Sequence, residues 1–392
     1  MPPIRAYLDH NATTPLRPAA REAMLAVLDR PGNASSVHAE GRAARALIEN
    51  ARIALGGFIN APPKAIVFAS GGTEALNLAL TPTLRLGATG PFDMLLVGAG
   101  EHAAVLSGHR FAPETVAIAT LTPGGVIDLE ELGRTLRQNQ GRRILLALQA
   151  ANNETGVIQP VAAAAALAHA AGGALICDAV QAAGKIDCDL ARLGADAIVV
   201  SAHKFGGPQG AAALCFREET SHIGATMVRG GGQERGFRGG TENVAAIAGM
   251  AAALGPAREA VERSDQLASW RDEIETEIAR FAPDATVFGQ GEERLPNTSC
   301  FAIPGVEAQL LLMRLDIEGV AVSSGSACSS GKVKRSHVLT AMRVAPDLAR
   351  GAIRVSLGWD STKADCATFV GALENAVRAV KARTLRASGQ MA

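Results

Sequence analysis

Between Ala65 and His203 the chain repeats one pattern: short, almost wholly apolar runs, AIVFAS, MLLVGAG, TVAIATL, ILLALQA, ALICDAV and AIVVSAH, most of them separated by stretches long enough for a helix. Runs without polar alternation predict strands covered on both faces, and so a largely parallel sheet between helical layers. Upstream, AYLDHNATTP predicts a short strand ended by turn formers, with a helix starting near Arg17 or Pro18. Ala44, Leu47, Ile48, Ala51 and Leu55 recur at three- and four-residue intervals, which predicts an amphipathic helix capped by Ser35 or Ser36 and closed by Gly56 and Gly57. Downstream, GGGQERGFRGG predicts a mobile or closely packed loop, with Thr241 as cap of a helix from Glu242 onward. Leu267, Trp270, Ile274, Ile278 and Phe281 form a second apolar stripe at helical spacing. Gly255-Pro256 interrupts the pattern, predicting a kink and a domain boundary, with a large α/β domain over 17–255 and a smaller α+β domain beginning at 256. In the last third LPNTSCFAI to RVAPD reads as strand, helix, strand and loop.

Composition changes this picture little. The 392 residues are 48% hydrophobic, enough for a large core, and 38 basic residues balance 38 acidic ones. No net field draws in nucleic acid or an anionic membrane, so a small-molecule substrate is the better expectation. The N-terminal stretch has no signal-peptide pattern and the Ala-rich run 161–171 is too short to span a bilayer, which predicts a cytoplasmic protein. Cys177, Cys188, Cys215, Cys300, Cys328 and Cys366 form no C-x-x-C pair, against a zinc site or a disulfide framework. Any special cysteine therefore acts singly.

Ligands of open α/β sheets bind beyond the carboxyl ends of the strands, and the polar residues falling there are a consistent set. GGTE (71–74) leads from the first run into TEALNLAL, turning backbone N–H groups and the positive helix end toward an anion such as a phosphate; a plain glycine turn with a threonine cap gives the same letters. Glu101 and His102 follow the second run, and Asn152, Asn153 and Glu154 follow the fourth. Asp178 ends the buried run LICD and so implies a cationic partner, either a protonated pyridine nitrogen or a structural arginine. Lys204, in SAHKFGGPQG, is placed where partial desolvation frees an amine to attack a carbonyl; an ordinary turn lysine is the competing reading. Small flexible residues surround Cys328 in SSGSACSSGK, which favours a reactive over a structural thiol. Arg354, on the alternating strand AIRVSL, either grips a carboxylate through two parallel hydrogen bonds or simply reaches solvent.

Taken together these stretches, from YLDHNATTP to IRVSLGWD, resemble the cysteine desulfurases of the class V aminotransferase group, in order and spacing as well as in motif. The SSGSACSS loop is similar to that of the long-loop branch, which serves iron–sulfur assembly and nitrogen fixation. The resemblance implies the fold type I of pyridoxal 5'-phosphate enzymes, with residues 1 to about 16 folded back onto the smaller domain (256–392) and the cysteine loop over about 323–335. It implies that Lys204 forms the internal aldimine and moves protons, Asp178 pairs with the pyridinium nitrogen, Gln181 bonds the phenolic oxygen, and His102 stacks on the ring. Gly72, Thr73, Ser201 and His203 would hold the phosphate, joined by Thr241 from the other subunit of a homodimer. Asn153 and Arg354 would fix the carboxylate of L-cysteine, and Cys328 would take the sulfur as a persulfide, with nearby cations such as His102 raising its thiolate share. L-alanine would leave, and a sulfur-acceptor or iron–sulfur scaffold protein would be the partner. No resident metal is implied, with Cys328 as the contact for a nascent iron–sulfur cluster. Ala34, Ala103, Ala202 and Arg343 depart from the pattern, the last where glycine is frequent. A selenocysteine lyase, an ordinary aminotransferase and a cofactor-free sulfur-relay protein are the competing functions.

Overall fold

The computed structural model describes residues 5–87, 89–324 and 335–389, and Cys328 lies outside them. In chain order the first nine strands are β1 (Ala6–Tyr7), β2 (Ile66–Ala69), β3 (Leu84–Arg85), β4 (Met94–Gly98), β5 (Val116–Ala119), β6 (Ile144–Gln149), β7 (Ala174–Asp178), β8 (Ala197–Ser201) and β9 (Ala212–Phe216). All six apolar runs are strands. They join β9 in a seven-stranded sheet of order β2-β9-β8-β7-β6-β4-β5, in which only β9 runs against the rest. The carboxyl ends of the other six therefore share one edge.

The runs carry no polar alternation because successive residues enter different cores. Leu146 and Leu148 face one helical layer with Leu175, Cys177 and Ile198, whereas Leu145 and Ala147 face the other with Ile176 and Val199. The first layer contains helices α1 (Pro18–Leu28) and α2 (Ala39–Ile59), packed against Val244–Glu262; the second contains α3 (Gly72–Ala79). Helix Val244–Glu262 has the length and apolar composition of a membrane span, but Ile247, Met250, Ala253, Leu254 and Ala257 are buried in the first core.

A third core lies around a four-stranded antiparallel sheet. Its strands follow β10 (His222–Ile223), which pairs with β3, and are β11 (Thr286–Val287), β12 (Thr298–Ala302), β14 (Ser323–Ser324) and β15 (Ile353–Ser356), in the order β11-β12-β15-β14. β13 (Val320–Ala321) pairs in parallel with β1, and Asp9 bridges to Ser356, so the N-terminal segment lies on this second unit. Phe301, Leu311, Ile353 and Phe369 fill the core, with Ile274 and Ile278 from the predicted apolar stripe; Leu267, Trp270 and Phe281 pack at its edge.

Four local expectations are corrected. Ser36 lies in a turn closed on the Asn33 carbonyl, so His38 rather than Ser35 or Ser36 caps α2, its imidazole accepting from Gly41 N at 3.3 Å. Gly56 and Gly57 do not end that helix; it continues to Ile59, and Asn60 takes the left-handed cap at φ 56°. Asn243, not Thr241, caps the next long helix, accepting from Ala246 N at 3.0 Å. That helix passes through Gly255-Pro256 to Glu262, with Gly255 exposed and Pro256 half-buried. The next helix, Ser264–Phe281, enters the third core through Ile274 and Ile278, while Phe288, Leu295, Cys300 and Val338 further along still belong to the first.

Candidate active site

The shared carboxyl edge of the sheet brings most of the candidate residues together. Asp178 ends β7 opposite Gln149 on one side and Val199 on the other, and Lys204 follows the end of β8 in a short 3-10 turn. Gly72 opens α3, and a Cβ there would lie 2.9 Å from Val180 and 3.7 Å from Ser201, so only glycine lets the helix start approach the ends of β7 and β8 this closely. Thr73 is exposed beside it, Ser201 is buried and His203 is half-buried.

Lys204 is clasped by the N-terminal segment. Its Nζ donates to the carbonyls of Asn11 (2.6 Å) and Ala12 (2.9 Å). His203 Nδ1 lies 3.2 Å from Thr13 Oγ1, and Thr14 N donates to His203 O. Arg17 N donates to Gly206 O and its Nε to Phe205 O; a Cβ on Gly206 would fall 2.5 Å from the Arg17 side chain, at φ 92°. HNATTP is therefore more than a turn, a role its letters do not announce.

Burial, then repulsion from Arg354, lowers the Lys204 pKa to about 8, against the weaker opposing pull of Asp9 and Asp178. Burial raises Asp178 to about 6, only partly offset by the Val180 N–H and by Lys204. A carboxylate so placed favours a further cation, as the sequence suggests. Burial lowers the His102 pKa, helped by Lys204 and His337, so His102 is neutral near pH 7. Its Nδ1 accepts from Ala104 N at 3.1 Å, so the neutral ring carries its proton on Nε2. Glu101 is fully buried with Oε1 on Gln149 N and Oε2 without a partner; burial and Asp178 raise its pKa well above the carboxylate range.

Arg354 is already engaged. Its Nη2 donates to Asp9 Oδ1 (2.7 Å) and its Nη1 to the Asn153 carbonyl (2.9 Å), while Nε is buried without a partner. Gripping an incoming carboxylate in parallel therefore requires Asp9 to give way, a competitor that sequence reading missed across 345 positions. Asn153 is half-buried beside it. Gln181 Nε2 donates to Asn11 O (2.9 Å) and its Oε1 accepts from Lys185 Nζ (2.7 Å), a second lysine that sequence reading also missed.

Thr241 is exposed on the loop between β10 and the helix Val244–Glu262. That loop is held by a buried ion pair: Arg52 meets Glu234 through two parallel bonds of 2.9 and 2.8 Å, and Phe68 N adds a third to Glu234. Arg238 Nε also reaches Glu74 on α3 at 2.9 Å. Removing one partner of such a buried pair costs about 3–5 kcal/mol, so the loop is anchored at Glu234.

This arrangement has relatives. The family model described as aminotransferase class-V matches residues 6–369. An IscS-like cysteine desulfurase of Mycobacterium tuberculosis is 38% identical over 98% of this chain and 99% of its own length; a cysteine desulfurase of Cereibacter sphaeroides is 42% identical over 92% of each. The chain is a cysteine desulfurase of the class-V aminotransferase family. The solved structure of a NifS-like protein from Rickettsia africae, 32% identical, superposes with a TM-score of 0.86 over 95% of this chain and 99% of that one. A structure of SspA in complex with cysteine, 27% identical, superposes at 0.75 over 90% and 98%.

Cysteine desulfurases of this family depend on pyridoxal phosphate, and the residues present fit it. The glycine-built helix start at Gly72 offers N–H groups to a phosphate, and buried Asp178 calls for a cation of the kind a pyridinium supplies. Lys204 has the lowered basicity that lets an amine react near neutral pH.

Proposed function

We propose that this cysteine desulfurase takes the sulfur of L-cysteine onto Cys328 as a persulfide and hands it to an acceptor or iron–sulfur scaffold protein, working in the cytoplasm as a homodimer with Thr241 serving the partner's phosphate site. The observation that carries this reading is Lys204, a half-buried amine of pKa about 8 coupled by charge to the buried carboxylate of Asp178. Bound pyridoxal phosphate supplies the electron sink that makes the substrate's Cα–H acidic. Asp178 would hold its ring nitrogen, Gly72, Thr73, Ser201 and His203 its phosphate, and Gln181 its phenolic oxygen.

Arg354 and Asn153 orient the substrate carboxylate once Asp9 yields. Lys204 carries the proton from Cα, and His102 would stack on the cofactor ring and assist proton transfer. The Cys328 thiolate attacks the substrate Sγ; the Cβ–S bond breaks, its electron pair stays on carbon and is protonated, and alanine leaves. The balance is one C–S bond lost and one S–S bond gained. The cysteine complex of the related SspA supports the substrate. Mass measurement of the peptide around Cys328 after incubation with L-cysteine tests the reading, with an added sulfur atom as the expected result. Persulfide-bearing Cys328→Ala enzyme overturns the assignment, and selenide release or keto-acid formation at full rate in that variant establishes the lyase or aminotransferase instead.

A further inference from the structure

Lys185 is a half-buried lysine outside the expected cofactor set, and its two hydrogen bonds go to two side-chain amides. Its Nζ donates to Gln181 Oε1 at 2.7 Å and to Asn11 Oδ1 at 2.8 Å. Because Nζ donates to both, the atom of each amide facing it is oxygen. The other end of each amide is thereby fixed as a donor. For Gln181 that end points to Asn11 O, 2.9 Å away, the same carbonyl that receives the Lys204 amine at 2.6 Å. For Asn11 it points to Thr298 Oγ1 (2.9 Å) and the Asn153 carbonyl (3.3 Å), and Asn297 Nδ2 supports the same orientation from 3.2 Å.

An amide nitrogen carries two hydrogens. Gln181 spends one on Asn11 O, the carbonyl that Lys204 also meets, and under the pyridoxal-phosphate reading the second serves the cofactor. With the amide reversed, an oxygen lone pair would stand there and repel the phenolate oxygen of a cofactor joined to Lys204. We propose that Lys185 is a positioning residue that locks Gln181 as a donor toward the cofactor's phenolic oxygen and ties the Asn11 segment over Lys204. Resting on the pyridoxal-phosphate reading, it gives a task to a residue that would otherwise be a half-buried lysine paired with neutral groups.

Lys185→Met keeps the chain length and removes the donors, and a cavity of about 40 Å³ bordered by His10, Lys185, Lys204 and Trp359 leaves room for the change. The readout is the pH midpoint of the absorption of pyridoxal phosphate bound to the whole protein. Losing the donor makes the phenolate more basic and favours the proton it shares with the linking nitrogen, so the midpoint moves up, by about one pH unit for one charge-assisted hydrogen bond. In a Gln181→Ala background the same substitution causes no further shift, since the effect passes through that amide. An unchanged midpoint, or an equal shift in both backgrounds, overturns the proposal. Where the native absorption is constant with pH, the affinity of the Lys204→Ala variant for pyridoxal phosphate is read instead: Lys185→Met then weakens binding about tenfold only while Gln181 is present. If the methionine variant does not fold, Lys185→Gln replaces it, with a smaller shift of the same sign expected and no shift overturning. Native protein that gains no absorption from pyridoxal phosphate would instead defeat the underlying functional reading.

Discussion

Lys204 is reactive because of where the fold puts it. Burial lowers its pKa from 10.5 to about 8, and Arg354 adds to the effect. The sign is that of a cation penalised by desolvation: below about 8 the amine is protonated and inert, above it the free base dominates. The initial rate at which protein stripped of cofactor takes up pyridoxal phosphate therefore rises with pH through a midpoint near 8 and then levels. Arg354→Met removes the second cause and raises the midpoint; a native rate still climbing toward 10.5 would show that the site does not desolvate the lysine. Lys204 and Asp178 were legible in the sequence because each ends an apolar run, so burial could be read from neighbours. Asp9, Asn11 and Lys185 were not, because their meaning lies in partners 345, 193 and 174 positions away.

Elements were legible where burial on both faces wrote an unbroken apolar run, as in β4, β6, β7 and β8. Their ends were not always so, since several capping groups compete at each. His38 displaced the serines by a local turn, and Asn60 displaced Gly56 and Gly57 because asparagine also tolerates the left-handed region. Arg343 shows the converse. The resemblance places glycine there, and the structure gives the reason: the residue after the helix His337–Ala341 and Met342 sits at φ 62°, where a Cβ is strained. Arg343→Gly removes that strain and stabilises the protein by about 1 kcal/mol, net of glycine's extra freedom in the unfolded chain. Urea unfolding of the two proteins at equal slope measures it, and a lower midpoint for the glycine variant would mean that the arginine side chain makes compensating contacts.

At the scale of the whole molecule, the sheet edge carries Lys204, Asp178 and Gly72, while the second unit carries Arg354 on β15, and Cys328 falls in the chain between β14 and the helix His337–Ala341. The N-terminal segment joins the two, pairing through β1 with β13 while its next residues close over Lys204. Thr241 is exposed on a loop anchored by the buried Arg52–Glu234 pair and tied to α3 through Arg238 and Glu74. Such anchoring lowers the ordering entropy that an exposed hydroxyl would lose on meeting a neighbouring subunit. If Thr241 acts across a homodimer, hybrids of a Lys204→Ala subunit with a Thr241→Val subunit contain one site with both residues intact. Refolding equal amounts of the two variants together should then yield more alanine from cysteine than the sum of each refolded alone, toward about a quarter of the native rate, because random pairing makes half of the dimers hybrids with one intact site of two. Activity equal to that sum would place Thr241 in its own subunit's site, and a single-chain mass in solution would remove the shared site altogether.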